Sequence, residues 1–285
     1  EANFMAAWHL LDKDDEIVVM VPGYLQTLTL ARSWGLKVHP LPLSEDLGWQ
    51  FDPEALKTIV NKRTKAIQVC NPNNPTGSIM ADEQRKTLVD CAEDAEAWIL
   101  SDEVYIGSEL ARDRTESLWG GYDRTLVSNG LCKSYGLPGL RIGWLVGTQE
   151  ALRNITPLHD FLTLTHAAPC DYFARLALEP VRRESLLARN QAVIRESHEI
   201  VKDWMSSNEP AFSYAQPSAG PMCFLRYDAK ICSCEIADRL IAEKSVLVVP
   251  GSQMGMDGYL RIGTCVPKDR LVCGLSRINA LLSSL

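Results

Sequence analysis

The chain has 285 residues, enough for one large domain or two ordinary ones with sizeable cores. Hydrophobic residues make up 46% and charged residues 23%, which excludes a disordered, collagenous or disulfide-scaffold chain. With 36 acidic against 29 basic residues the formal charge is −7, so little counterion release is available and no nucleic acid is expected as a partner. No apolar run is long enough to span a bilayer and no leader peptide is expected, so a membrane is not expected either. The 9 cysteines are odd in number and scattered, and several, such as Cys70, sit in apolar runs where a thiol behaves as a small hydrophobe. Cys232 and Cys234 form the one close pair, with no second pair to complete a zinc site. No metal is expected, and a reducing, cytoplasmic compartment is.

In chain order, short β-branched runs at 16–21, 37–43, 66–71, 97–101, 125–129 and 141–146 predict strands. Helical spacing fills 2–11, 26–34, 53–61 and 82–93, with Pro53 and Asp82 at favourable helix starts after Asp52 and Ala81. Strand and helix in alternation argue for an α/β fold. The expected large domain is a three-layer α/β/α unit on a mainly parallel sheet, with its site at the carboxyl ends of the strands. From Val181 to Met205 the apolar pairs Leu186/Leu187, Val193/Ile194 and Ile200/Val201 repeat every seven residues and predict one long amphipathic helix. After a break at Asn208-Glu209-Pro210, strands are expected at 221–227, 245–249 and 259–264. A helix at 234–243 and a closing helix from Lys268 complete a smaller α+β unit. The expected domains are therefore 1–187 and 188–285.

Four segments carry chemistry beyond their propensities. Asn71-Pro72-Asn73-Asn74-Pro75-Thr76-Gly77 follows a strand; taken alone it reads first as a turn, though a rigid loop at a strand's carboxyl end can also aim the Asn74 amide at a ligand oxygen. Ser101-Asp102-Glu103-Val104-Tyr105 ends an apolar run, where a buried carboxylate needs a partner: Asp102 reads either as a helix cap or a plainly exposed side chain, or as a buried anion holding a cation. Between Ser128 and Trp144, four glycines and Pro138 surround Lys133 and Arg141. Gly-rich apolar flanks suit a lysine brought close to a ligand, and burial makes Schiff-base chemistry accessible to it, while Arg141 offers a donor fork matched to phosphate. Arg261 lies in the strand-like run Tyr259-Leu260-Arg261-Ile262-Gly263, as either a buried ion pair or a bidentate carboxylate binder.

Taken in order, these segments resemble the aspartate-aminotransferase-like (fold type I) family of pyridoxal-phosphate enzymes, in its class I/II aminotransferase branch. The resemblance runs from Glu1-Ala2-Asn3 to the last strand and helix. It implies pyridoxal 5′-phosphate as cofactor, joined to Lys133 as a Schiff base, with Lys133 also shuttling the substrate proton. It further implies that Asp102 pairs with the pyridine nitrogen, that Asn74 and Tyr105 hydrogen-bond the ring's 3′-oxygen, and that Tyr24 stacks on the ring. Arg141 would bind the phosphate and Arg261, beside Asn74, the substrate α-carboxylate. The implied activity is transfer of an amino group between an amino acid and a 2-oxo acid, by a homodimer. Carbon–sulfur β-elimination, cyclopropane-forming synthase chemistry, amino-acid oxidation or cyclisation, and a non-catalytic domain on this fold stand as alternatives.

Departures from the family pattern are equally specific. Gly130 stands three residues before Lys133, where a phosphate-contacting serine is usual, a loss of about 1–2 kcal/mol in phosphate binding. Cys132 replaces the common serine next to the lysine. No arginine lies between Arg153 and Arg175 to receive a dicarboxylic substrate. A phosphate-binding turn, an arm and part of the small domain usually precede the helix that here begins at Glu1, so an N-terminally incomplete chain is expected.

Overall fold

A computed structural model of the chain describes residues 1–111, 113–208 and 211–284. In order, the elements are α1 (Ala2–Leu10), β1 (Glu16–Val21), α2 (Leu25–Ser33), β2 (Lys37–Ser44), β3 (Gln50–Phe51), α3 (Pro53–Ile59), β4 (Thr64–Cys70), α4 (Asp82–Ala95), β5 (Trp98–Asp102), β6 (Thr125–Gly130) and β7 (Gly143–Val146). They continue as α5 (Gln149–Ile155), α6 (Ala168–Ala177), α7 (Pro180–Ser206), β8 (Phe212–Ser213), β9 (Met222–Tyr227), α8 (Ser233–Lys244), β10 (Val249–Pro250), β11 (Tyr259–Gly263) and α9 (Lys268–Leu282).

Among the described residues the first seven strands form one sheet in the order β3-β2-β1-β4-β5-β6-β7. β2, β1, β4, β5 and β6 run parallel, while β3 and β7 close the edges antiparallel. The alternation of side chains along each strand builds two cores. Ile17 and Val19 of β1, Ala66 of β4, Leu100 of β5 and Leu126 of β6 pack with α1, α2 and α5. Val18, Met20, Ile67, Val69 and Ile99 face the other way, against Leu56 of α3 and Leu88, Cys91 and Ala92 of α4. Strands buried on both faces explain the unbroken apolar runs. The layers are helix, sheet, helix, as the sequence predicts.

The second sheet is antiparallel, in the order β10-β11-β9-β8. Cys223, Leu225 and Tyr227 of β9 and Leu260 and Ile262 of β11 face α8 and α9. From the opposite side of the same sheet, Phe224 stacks on Tyr259 with ring centroids 4.7 Å apart and meets Trp49 edge-on at 5.6 Å. This aromatic cluster joins the two sheets. The 27-residue α7, about 40 Å long at 1.5 Å per residue, bridges them too. Its Leu187 packs with Leu131, Tyr135 and Ala174, and its Val201 and Met205 with the second core. Of the predicted heptad pairs, Leu187, Ile194 and Val201 are the buried members, while Val193 is exposed.

Some expected boundaries shift. Ser245 takes a left-handed conformation (φ 55°) at the end of α8, and Val246 N–H bonds back to Leu240 O, so the strand expected at 245–249 shrinks to Val249–Pro250. The strand expected from Arg141 begins at Gly143, because residues 138–140 form a 3₁₀ turn and Arg141 is left-handed (φ 55°). α5 and α6 have no counterpart among the expected elements. In the break expected at Asn208-Glu209-Pro210, Glu209 and Pro210 lie outside the described residues. Among the described residues no helix is long and apolar enough to cross a membrane.

Candidate active site

Tyr24, Asn74, Asp102, Tyr105, Lys133, Arg141 and Arg261 all line one open cleft of about 1010 Å³. They come from separate places in the chain, and the parallel sheet collects them. Tyr24 follows the end of β1, Asn74 the end of β4, and Asp102 closes β5 with Tyr105 just beyond. Lys133 lies in the turn after β6, Arg141 precedes β7, and Arg261 projects from β11 of the second sheet.

The loop after β4 is held by its own asparagines. Asn71 Oδ1 accepts from Met80 N–H at 2.9 Å, and Asn73 Nδ2 donates to Thr76 Oγ1 at 3.0 Å and to Pro22 O at 3.3 Å. Gly77 has φ 68°, and a Cβ there would lie 2.5 Å from both Ala219 O and Pro217 Cβ, so this turn admits only glycine. The result is a buried Asn74 whose Oδ1 accepts from Arg261 Nη1 at 3.1 Å. Arg261 Nε is buried and has no hydrogen-bond partner among the described residues. A buried donor left open in this way costs free energy until an acceptor arrives.

Asp102 is 9% exposed. Burial pushes its carboxyl above the usual carboxylate range, opposed by Val104 N–H, the Asn3 amide and the charge of Lys133. Burial also drives the Tyr105 hydroxyl well above its ordinary value, with the nearby Cys70 adding to the effect and Arg261 opposing it. Tyr105 is therefore a neutral donor at any physiological pH. Lys133 Nζ stands 5.9 Å from the centroid of the Tyr105 ring.

The lysine is exposed to the cleft rather than buried. Its neighbours take the burial instead: Leu131 and Tyr135 join the core under α7, Ser134 Oγ donates to Val104 O at 3.1 Å, and Asn190 Nδ2 of α7 donates to Ser134 O at 2.9 Å. The turn is anchored on both sides while its side chain stays free. Arg141 is likewise exposed, with Nη1 donating to Pro138 O at 3.0 Å. Tyr24 is 51% exposed at the cleft wall.

Gly130 has a structural reason. It faces Gly143 across the antiparallel β6–β7 pair, and a Cβ on it would lie 3.0 Å from Ile142 O and 3.2 Å from Gly143 Cα. A serine there cannot enter without moving backbone. The cleft also contains residues that the sequence reading gives no role: Asn3, Ser128, His159, His166 and Cys170. Asn3 is an isolated polar residue at the start of the largely apolar α1, a weak signal, and Ser128 precedes Asn129 at the end of β6; His159 and His166 come from a segment with no motif. Among the described residues no group of three or more His, Cys, Asp or Glu side chains is arranged to hold a metal ion.

The family described as aminotransferase class I and II matches residues 1–278. Among curated proteins, a capreomycidine synthase from Streptomyces vinaceus is 30% identical over 286 residues, covering 100% of this chain and 72% of that protein. An aspartate aminotransferase from Pyrococcus horikoshii is 28% identical over 290 residues, covering 99% of this chain and 73% of its own length. Among solved structures, a PLP-dependent aminotransferase from Streptococcus suis superposes with a TM-score of 0.91 at 30% identity, over 99% of this chain and 74% of that one.

Proposed function

Since the chain belongs to the class I and II aminotransferases and is a pyridoxal-phosphate-dependent enzyme, we propose that its cleft moves an amino group between an amino acid and a 2-oxo acid, with Lys133 at its centre. The observation that carries this reading is the convergence of seven motif residues on one cleft. The residues fit the cofactor. A carboxyl made costly by burial at Asp102 suits a cationic ring nitrogen, the neutral Tyr105 hydroxyl suits a ring oxygen, and the exposed Arg141 fork suits a phosphate. Tyr24 offers an aromatic face at the wall. When bound, the cofactor supplies an aldehyde that takes up amines and a ring that accepts the electron pair left on the α-carbon.

This chain's own residues do the rest. Arg261 grips the α-carboxylate with its open Nε and its outer nitrogen, while Asn74 Oδ1 holds Nη1 and fixes the plane of the fork. Lys133 Nζ accepts the proton from the α-carbon and returns it on the product side, a general base on an anchored turn. Asp102 keeps the ring nitrogen's proton in place.

The same reading includes a homodimer and a reducing, cytoplasmic setting. Exposed Phe161, Leu164, Tyr172 and Phe173, clustered in the segment beside the cleft, support a second copy packing there. The nine unpaired thiols suit a reducing compartment. We place the division between a cofactor-binding unit (1–187) and a C-terminal unit (188–285) within α7, supported by its passage from one core to the other.

One observation favours a second reading. The alignment with a capreomycidine synthase spans this whole chain, which supports a synthase reaction on the same cofactor, built on the same Lys133, Asp102 and Arg261. Product analysis with and without a 2-oxo acid acceptor separates the two. Amino-group transfer that requires the acceptor is the expected result; turnover of an amino acid to a different product without any acceptor would sink the transfer reading.

A further inference from the structure

We propose that Asn3 is a positioning residue for the Asp102 carboxylate, and that Ser128, donating to the Asn3 oxygen, supports the amide in the orientation the carboxylate requires. The proposal rests on the reading of Asp102 as partner of the cofactor's ring nitrogen and names what holds it ready for that task.

Asn3 sits in the first turn of α1, the helix packed across the ends of β5 and β6. Its Nδ2 donates to Asp102 Oδ2 at 2.9 Å, and Val104 N–H donates to the other oxygen, Oδ1, at 3.1 Å. Each carboxylate oxygen thus has one neutral donor. On the far side of the amide, Ser128 Oγ donates to Asn3 Oδ1. Ser128 is buried and lies directly across the strand register from Asp102, so the sheet itself brings the three side chains together.

The order of donors decides the chemistry. An amide can present either its oxygen or its nitrogen, and the two are nearly the same size. With the carboxyl ionised, both bonds form in one orientation only: nitrogen toward Asp102, oxygen toward the Ser128 hydroxyl. The reversed amide would set Oδ1 against an anion and would demand a protonated carboxyl. The pair therefore favours the ionised, correctly turned carboxylate in a place where burial alone favours the neutral acid. The other titratable groups acting on Asp102 are Lys133 and the amino group of Glu1, whose charges act in the same direction, and Cys70 and Tyr105, both kept neutral by burial.

The test compares the chain reconstituted with pyridoxal phosphate and with its 1-deaza analogue, which keeps the phosphate, aldehyde and ring oxygen but has carbon in place of the ring nitrogen. Wild type is expected to prefer the natural cofactor. Asn3→Ala and Asn3→Leu are expected to cut that preference about tenfold, the loss of one hydrogen bond to a charged group, while leaving affinity for the analogue unchanged. Ser128→Ala should cut it less, and Ser128→Thr, which keeps the hydroxyl, should restore it. The ¹⁵N resonance of a labelled ring should lose its proton about one pH unit lower in Asn3→Ala than in wild type. Equal weakening of both ligands in the Asn3 variants means a structural role only and overturns the proposal. Full preference in the Asn3 variants, with its loss in Asp102→Ala, overturns it while leaving the Asp102 assignment intact. Full preference in Asp102→Ala overturns that assignment and the proposal with it.

Discussion

With Arg261 assigned to the substrate carboxylate, replacing it by lysine keeps the charge and removes the fork. The guanidinium makes one hydrogen bond, from Nη1 to Asn74 Oδ1 at 3.1 Å, and its Nε is buried with no partner among the described residues. Two nitrogens therefore remain to meet two carboxylate oxygens. Lysine reproduces the charge and one bond but not the second, and loses the register set by Asn74. One charge-assisted bond contributes about 1.5–3 kcal/mol, which corresponds to about 10- to 150-fold in kcat/KM. The assay compares an amino acid with the amine of identical side chain that lacks the carboxylate. Arg261→Lys should lower kcat/KM for the amino acid by that factor and leave the amine unaffected. Equal losses on both substrates, or no loss on the amino acid, would refute the assignment of Arg261.

Other expected outcomes follow from individual contacts. Gly130→Ser should lower thermal stability by about 1–3 kcal/mol, because its Cβ presses on the β7 backbone; an unchanged melting temperature would show that the strand pair yields freely. Gly77→Ala should cost at least about 2 kcal/mol and weaken substrate binding through Asn74, since its φ is 68° and its Cβ would lie 2.5 Å from the Ala219 carbonyl and from Cβ of the rigid Pro217 ring; calorimetry and KM together check this. Glu16, buried at the start of β1, is held down to about 2 from 4.5 by hydrogen bonds from Arg63 and Asn61. Its folded value lies below its unfolded one, so its stabilisation is complete above pH 4.5 and is lost as the pH falls toward 2. Melting temperatures across that window should fall more steeply for wild type than for Glu16→Gln; parallel curves would count against the network.

The first half of the fold is legible because strands buried on both faces leave continuous β-branched runs, and Asp52 caps α3 through Glu54 N–H at 3.0 Å as its position predicts. The seven cleft residues are legible for a related reason: each sits in a short run whose glycines, prolines and carboxylates are hard to explain by packing. Asn3 and Ser128 are not, since their meaning lies in a contact between residues 99 and 125 positions apart, which no local pattern encodes. α6 escapes notice because it is only ten residues long and buries the small Ala174 and Ala177 while its large aromatics, Tyr172 and Phe173, are exposed. Val246, Leu247 and Val248 mislead in the opposite sense, looking like strand while the left-handed Ser245 sends them round a helix end, with Leu247 exposed.

The central claim is that this cleft holds pyridoxal phosphate on Lys133. Borohydride reduction of the purified holoenzyme, followed by proteolysis and mass mapping, tests it most directly. The expected result is a single reduced cofactor adduct on the peptide carrying Lys133, absent from Lys133→Ala. A stable adduct on any other lysine, or a visible chromophore that survives unchanged in Lys133→Ala, would contradict it.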